Sequence, residues 1–317
     1  MKRLEQSDSF YPSPPLWKDI KYEDARYRIT ELAGREAQRF SFLSESDKLS
    51  DNEKEQYQAI VALHNGKYSM DENILTSSIY ILSHLLHRHY GQKTVILIDE
   101  YDVPLAKALE REYYDQMVIF IRNLFEYALK TNDSLKFAVL TGCMRISRES
   151  IFTGLNNLKV LSIADVQFDE YFGFTDEEVR EMLEYYELSD HYEDIREWYD
   201  GYQFGKAEVY CPWDVMNYIR DIQRDSDTRP KSYWMNTSDN GIIRSFIDIA
   251  GSNITKKLET LLNGGYILQR IDENLTYDYL HSSEDNLWSI LYLTGYLTTV
   301  REEDLSTSVP DGLSALA

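Results

Sequence analysis

The chain has 317 residues, 43% of them hydrophobic and 27% charged, enough for one large domain or two ordinary ones around buried cores. Fifty-four Asp and Glu against thirty-three Lys and Arg leave a net charge of −21, which argues against a surface that holds nucleic acid by generic phosphate attraction. Two distant cysteines, Cys143 and Cys211, without metal-ligand spacing, exclude a disulfide scaffold and predict two buried thiols in a reducing compartment.

Residues 1–15 carry three prolines and read as a linker or ragged start, with charges where a signal peptide would place an apolar core. No apolar run approaches the roughly 20 residues of a membrane helix, so a cytoplasmic chain without a membrane span is expected. Leu16 to Ile20 reads as a short strand, and Glu23 to Leu43 has helical spacing. Ser50 and Glu53 form a capping box opening a helix through Ala59 and Leu63. A stronger helix follows, with Ile74, Leu75, Ile81, Leu82 and Leu85 on one face and Gly91 as its stop.

Thr94 to Glu100 is an apolar, β-branched run ending in two acids, which suits a parallel strand buried on both faces with its C-terminal edge at a site. Tyr113 to Lys130 reads as a helix leading into a second buried strand, Leu135 to Gly142, and Leu158 to Ile163 reads as a third. Strands separated by helices predict an α/β layered sheet with right-handed crossovers. Beyond Phe172 the character changes. Thr175 and Glu178 cap an acidic helix, Pro212 opens one through Ile219, and further helices are expected at Gly241 to Ala250 and Ile254 to Leu262. Short strands at Tyr266 to Ile271 and Gly295 to Val300 bracket a helix from Asn286 to Leu293, suggesting a winged-helix-like second domain. The expected divisions are 1–15, a core over 16–172, a helical domain over 173–300, and a polar tail over 301–317 with no assigned fold.

The main chemical signal is Ile96 to Glu100. Apolar residues ending in Asp-Glu form a Walker B pattern, in which Asp99 holds Mg²⁺ through water and Glu100 polarises an attacking water. A parallel strand ending at Thr141 would put a polar group beside Asp99, where it can sense a γ-phosphate, and Arg145 could supply charge stabilisation or be an ordinary surface arginine. A nuclease-like metal cluster of Asp99, Glu100 and Asp102 is the weaker reading, since no Glu-x-Lys strand follows. His84, His87 and His89 at a helix C-terminus complement its dipole more readily than they bind metal. Trp198, Trp213 and Trp234 suit packing between helices better than base stacking in so acidic a setting.

The blocks IDEYDVPL (Ile98 to Leu105), TGCMRISRESIFTGLNNL (Thr141 to Leu158), YFGFTDEEV (Tyr171 to Val179), WYDGYQFG (Trp198 to Gly205), YCPWDVMNYI (Tyr210 to Ile219), YWMNTSDN (Tyr233 to Asn240) and NLWSILYLTGYLT (Asn286 to Thr298) occur in one order. This resembles the bacterial and archaeal AAA-ATPase-like family, whose members usually carry a C-terminal PD-(D/E)XK nuclease-like domain. The resemblance spans about Leu16 to Val300. It implies a P-loop NTPase-type parallel core, ATP and Mg²⁺ as cofactors, Walker B roles for Asp99 and Glu100, a polar sensor at Thr141 and a sensor role for Arg145. It also implies ATP-driven mechanical or regulatory work coupled to a nuclease-like effector. The DGYQFG and NTSDN blocks look like family signatures without an assignable chemical role.

The chain departs from the family at both ends. No strand and phosphate-binding loop precede Leu16, and no nuclease-like domain follows Val300. Gly66 to Ser69 is a decoy, because Val61 and Tyr68 stand where a P-loop needs glycine and Ser or Thr. Without the loop's N–H groups and lysine, Asp99 cannot hold a nucleotide alone, so independent turnover is not expected. Losing the loop's strand would also expose sheet edges and apolar faces, so either the natural protein is longer and this chain a fragment, or another segment or a partner fills the gap in a degenerate form, or the sheet is rearranged. The alternative reading is a noncatalytic module that keeps the scaffold and holds a protein partner or a second copy of itself.

Overall fold

The computed structural model describes residues 21–143, 151–152, 158–234, 252–273, 275, 283–301, 305–306, 308–310 and 312–317. The chain divides into two compact units, one of residues 1–142 and 148–158, the other of 143–147 and 159–317. Among the described residues, no helix is long and apolar enough to cross a membrane.

The first unit opens with α1 (Tyr22–Gln38), followed by a 3-10 turn at Ser41–Glu45. Helix α2 (Asp51–Val61) starts at the expected capping box: the Ser50 hydroxyl accepts from the Glu53 N–H at 3.3 Å while the Glu53 carboxylate accepts from the Ser50 N–H at 2.8 Å. The decoy segment is a hairpin of β1 (Leu63–His64) and β2 (Lys67–Tyr68), turned at Asn65 and Gly66, which both have positive φ, the signature of a two-residue mirror-image turn. Asp71 caps α3 (Glu72–Tyr90), and Gly91 ends it in the left-handed conformation that spares glycine a Cβ clash.

Strand β3 (Thr94–Ile98) leads through α4 (Val103–Leu109) and α5 (Tyr114–Leu129) to β4 (Leu135–Leu140), which pairs with β3 in parallel. Helix α5 packs on α3 and α4, burying Met117, Phe120, Leu124 and Phe125. Each such side chain contributes about 1.5–3 kcal/mol over its exposed state. The sequence signal for α4 is Asp102 followed by a proline in the first turn.

Three expectations fail in this region. Residues 158–163 form no strand, so among the described residues the parallel sheet has two strands. Nor are these strands buried on both faces: Val95 is 44% and Leu97 62% exposed, while Ile96 is buried. Cys143 is exposed, and Cys211 is partly buried, its thiol pushed by burial to about 11. The expected strand at residues 16–20 and helix at 241–250 lie outside the described residues.

The second unit contains α6 (Asp176–Tyr185), capped by Thr175 and Glu178, then α7 (Tyr192–Tyr199). A hairpin of β5 (Tyr202–Phe204) and β6 (Ala207–Val209) leads to α8 (Pro212–Ile222). The core joins α6, α7 and α8 through Val179, Leu183, Ile195, Val215 and Tyr218. Helix α9 (Ser252–Leu262), β7 (Ile267–Gln269), α10 (Glu284–Leu293) and β8 (Ser314–Leu316) follow.

The tail, given no fold on sequence grounds, supplies β8, which pairs antiparallel with β7 and, through Ala315 and Ala317, hydrogen bonds to Val300 and Thr298. The two expected strands around α10 therefore both bond to the tail. Apolar Ala315 and Leu316 are buried there, a two-residue signal too short to stand out from the polar residues before them.

Candidate functional site

The parallel ladder carries the candidate site at its C-terminal end. Beyond the last strand pair, Ile98 opposite Leu140, the Thr141 N–H donates to the Ile98 carbonyl at 2.9 Å and the Tyr101 N–H donates to the Thr141 carbonyl at 3.0 Å. The turn after β3 is thus bonded onto the end of β4. Within it the Thr141 hydroxyl donates to Asp99 Oδ1, which also accepts from the Glu100 N–H at 3.1 Å.

Glu100 adopts φ 52°, a left-handed conformation that a residue with a Cβ seldom takes. Asp99 and Glu100 are both exposed, whereas Asp102 is only 2% exposed and starts α4. A Cβ added to Gly142 would lie 2.6 Å from Asp102 Oδ1 and 2.8 Å from the Tyr101 ring. Glycine at position 142 is therefore what lets the turn sit against β4. Tyr101 is held in turn by edge contacts to Phe125 and Phe152.

The structure brings Asp99 and Thr141 into contact and puts Glu100 next to them in an exposed position. Arg145 lies outside the described residues. The three acids do not converge, and among the described residues no group of three His, Cys, Asp or Glu could hold a metal ion. Sequence reasoning missed Gly142 and the burial of Asp102, although the Thr-Gly pair at the strand end and the Asp-x-Pro helix start were both present.

Mg²⁺ bound with a nucleotide takes one or two carboxylates together with phosphate oxygens. Asp99, with one oxygen already held by Thr141 and Glu100, fits one such arm. The cradle for the phosphates is a different matter, since the sequence contains no G-x-x-x-x-G-K-[ST] loop and Gly66 belongs to a hairpin. Asp99 and Thr141 would hold the metal's water shell, and the ion would supply charge stabilisation at the phosphates.

The other sequence candidates have structural partners. His87 contacts Ser134 at 3.1 Å, His89 contacts Ser46 at 2.8 Å and His84 reaches Glu53 at 3.4 Å, tying α3 to its neighbours. Trp213 and Trp234 meet edge to face at 6.3 Å, and with Trp198 are about half exposed, rather than packed between helices. The DGYQFG block ties the second unit together: Asp200 accepts from Arg301 at 2.9 Å, Gln203 N–H donates to the Thr298 hydroxyl at 3.0 Å, and Gly205 N–H donates to the Ile163 carbonyl at 2.7 Å. Asp176 of the YFGFTDEEV block accepts from Tyr192, Tyr210 and Arg180. Burial opposes its charge, but these hydrogen bonds hold its carboxyl below the ordinary value. The NTSDN block lies outside the described residues.

Residues 20–152 match the family AAA-ATPase-like, described as "Predicted AAA-ATPase". The matched segment contains Asp99, Glu100 and Thr141. The chain is also 31% identical over 152 residues, 48% of its own length, to an uncharacterized protein in the vnfD 5' region of Azotobacter chroococcum mcd 1. It spans 28% of that protein's length. No solved structure matches.

Proposed function

We propose that the first unit is a P-loop NTPase-type core carrying the acidic half of an ATP and Mg²⁺ pocket, joined to a helical, winged-helix-like second domain. Asp99 orients a metal-bound water, Thr141 senses the terminal phosphate, Glu100 polarises the attacking water, and Arg145 adds charge stabilisation. The observation that carries this reading is the Thr141 to Asp99 hydrogen bond at the C-terminal end of two parallel strands, the place where open α/β sheets bind ligands. The AAA-ATPase-like match over residues 20–152 supports it. At family level the pocket drives mechanical or regulatory work coupled to a nuclease-like effector in the cytoplasm.

With no glycine-rich loop in the sequence, this chain binds nucleotide weakly and does not turn it over alone. The test compares Mg²⁺-dependent phosphate release by the chain and by Glu100→Gln, with thermal shift in millimolar Mg²⁺-ADP as a second readout. Equal, background rates and a small shift that Asp99→Asn removes are expected. Turnover abolished by Glu100→Gln would refute the claim of inactivity, and no shift in the unmodified chain would remove the pocket.

A further inference from the structure

The second unit carries a concavity of about 370 Å³, walled by Tyr186 just past α6 and by Trp213, Met216, Asn217, Ile219 and Arg220 of α8. That size falls within the range of small-molecule sites, about 300–1,000 Å³. The walls are fixed from within. Trp213 Nε1 donates to the Tyr233 carbonyl at 3.2 Å, and the Trp213 carbonyl accepts from Asn217 Nδ2 at 2.7 Å. The other end of the same amide, Asn217 Oδ1, accepts from Arg220 Nη2 at 2.7 Å. Asn217 thus steadies the guanidinium while engaging only part of its donor set.

In a chain of net charge −21, this guanidinium forms no ion pair among the described residues. The two acids of α8 are engaged elsewhere: Asp214 accepts from the Tyr233 and Trp234 N–H groups at 2.8 and 3.1 Å, and Asp221 from Lys231 at 3.1 Å and the Tyr233 hydroxyl at 2.9 Å. We propose that the concavity binds a small aromatic carboxylate, its ring against Trp213, Tyr186 and Met216 and its carboxylate on Arg220. Aromatic rings and a thioether favour a flat apolar body, and a guanidinium takes a planar carboxylate through two parallel hydrogen bonds. The same rings could attract a cation, but Arg220 repels one. Neither Asp99 nor Thr141 takes part, so the nucleotide reading and this one stand or fall separately.

Isothermal titration calorimetry of the full chain in about 0.15 M NaCl, which limits the reach of its net negative charge to roughly 8 Å, compares 2-naphthylacetate with the neutral 2-naphthylacetamide. The acid should bind at least tenfold tighter than the amide. Arg220→Gln should abolish that preference and Arg220→Lys, which keeps the charge without the planar fork, should restore part of it, both with unchanged circular dichroism. No saturable heat with the unmodified chain, the result if a segment of the protein's own chain fills the concavity, would overturn the proposal. So would equal affinity for acid and amide, or a preference that survives Arg220→Gln. A peptide ending in a tryptophan with a free carboxylate, binding tenfold tighter than 2-naphthylacetate, would assign the concavity to a polypeptide terminus instead.

Discussion

Thr141 and Asp99, forty-two positions apart in the sequence, are joined by a hydrogen bond from the threonine hydroxyl to the carboxylate. The parallel register of β3 and β4 creates this meeting, because it brings both strands to an end at the same level. Each residue alone is ordinary; the ladder makes them a pair.

That pairing has an energetic signature. Hydrogen bonds to charged groups contribute about 1.5–3 kcal/mol when shielded, and this pair is partly exposed, so a coupling of about 1 kcal/mol is expected. A double-mutant cycle of Asp99→Ala and Thr141→Val in urea denaturation measures it. Strict additivity of the two changes would show that the contact contributes nothing to stability.

Gly142→Ala tests whether the turn is seated as tightly as the geometry indicates. The new methyl would meet the buried Asp102 carboxylate and the packed Tyr101 ring, and overpacking of this kind costs about 1–3 kcal/mol. A lowered melting temperature is expected. An unchanged one would mean that the turn yields freely.

In the second unit, Gly205→Ala should be more damaging. The residue has φ 51°, and a Cβ there would lie 2.6 Å from the Asp165 carbonyl oxygen. Left-handed backbone costs an L-residue about 1 kcal/mol and the clash adds to it, so a loss of about 2–3 kcal/mol is expected by chemical denaturation. A loss below 0.5 kcal/mol on this order-of-magnitude scale would contradict the packing.

The capping box of α2 predicts a pH effect. The Ser50 backbone N–H and hydroxyl hold Glu53 below the ordinary glutamate value of 4.5, burial opposes them, and Arg88 adds a lesser lowering effect. A carboxyl lowered in the folded state stabilises above its unfolded value, and that contribution disappears as pH falls through the lowered one. Glu53→Gln, which removes the charge alone, should therefore cost about 0.5 kcal/mol at neutral pH and much less near pH 3. Melting curves at the two pH values decide; an equal loss at both would rule out the charged cap as its source.

Local signals in the sequence were largely sufficient for the helices. Ser50 with Glu53, Gly91, and Thr175 with Glu178 mark ends that the structure reproduces, because caps depend on neighbours within one turn. The Asn65-Gly66 turn is an equally local signal, but the lysine that follows makes the same residues imitate a P-loop. Leu158 to Ile163 looked like a strand because its apolar pattern is compatible with several kinds of burial, and only tertiary pairing chooses among them. The site was half legible. An acidic pair after an apolar run announces itself, but the packing of Gly142 on Asp102 depends on the closeness of two strand ends, which spacing alone does not report.

The β8 strand has a consequence for biosynthesis. Its partner β7 is separated from it by the whole of α10 and the segments on either side, so this small sheet closes a long loop and stays incomplete until residues 314–316 have left the ribosome. Until then Ile267 keeps an unmatched ladder edge, and a nascent chain halted before Ser314 is added would display a second unit whose sheet cannot yet be sealed.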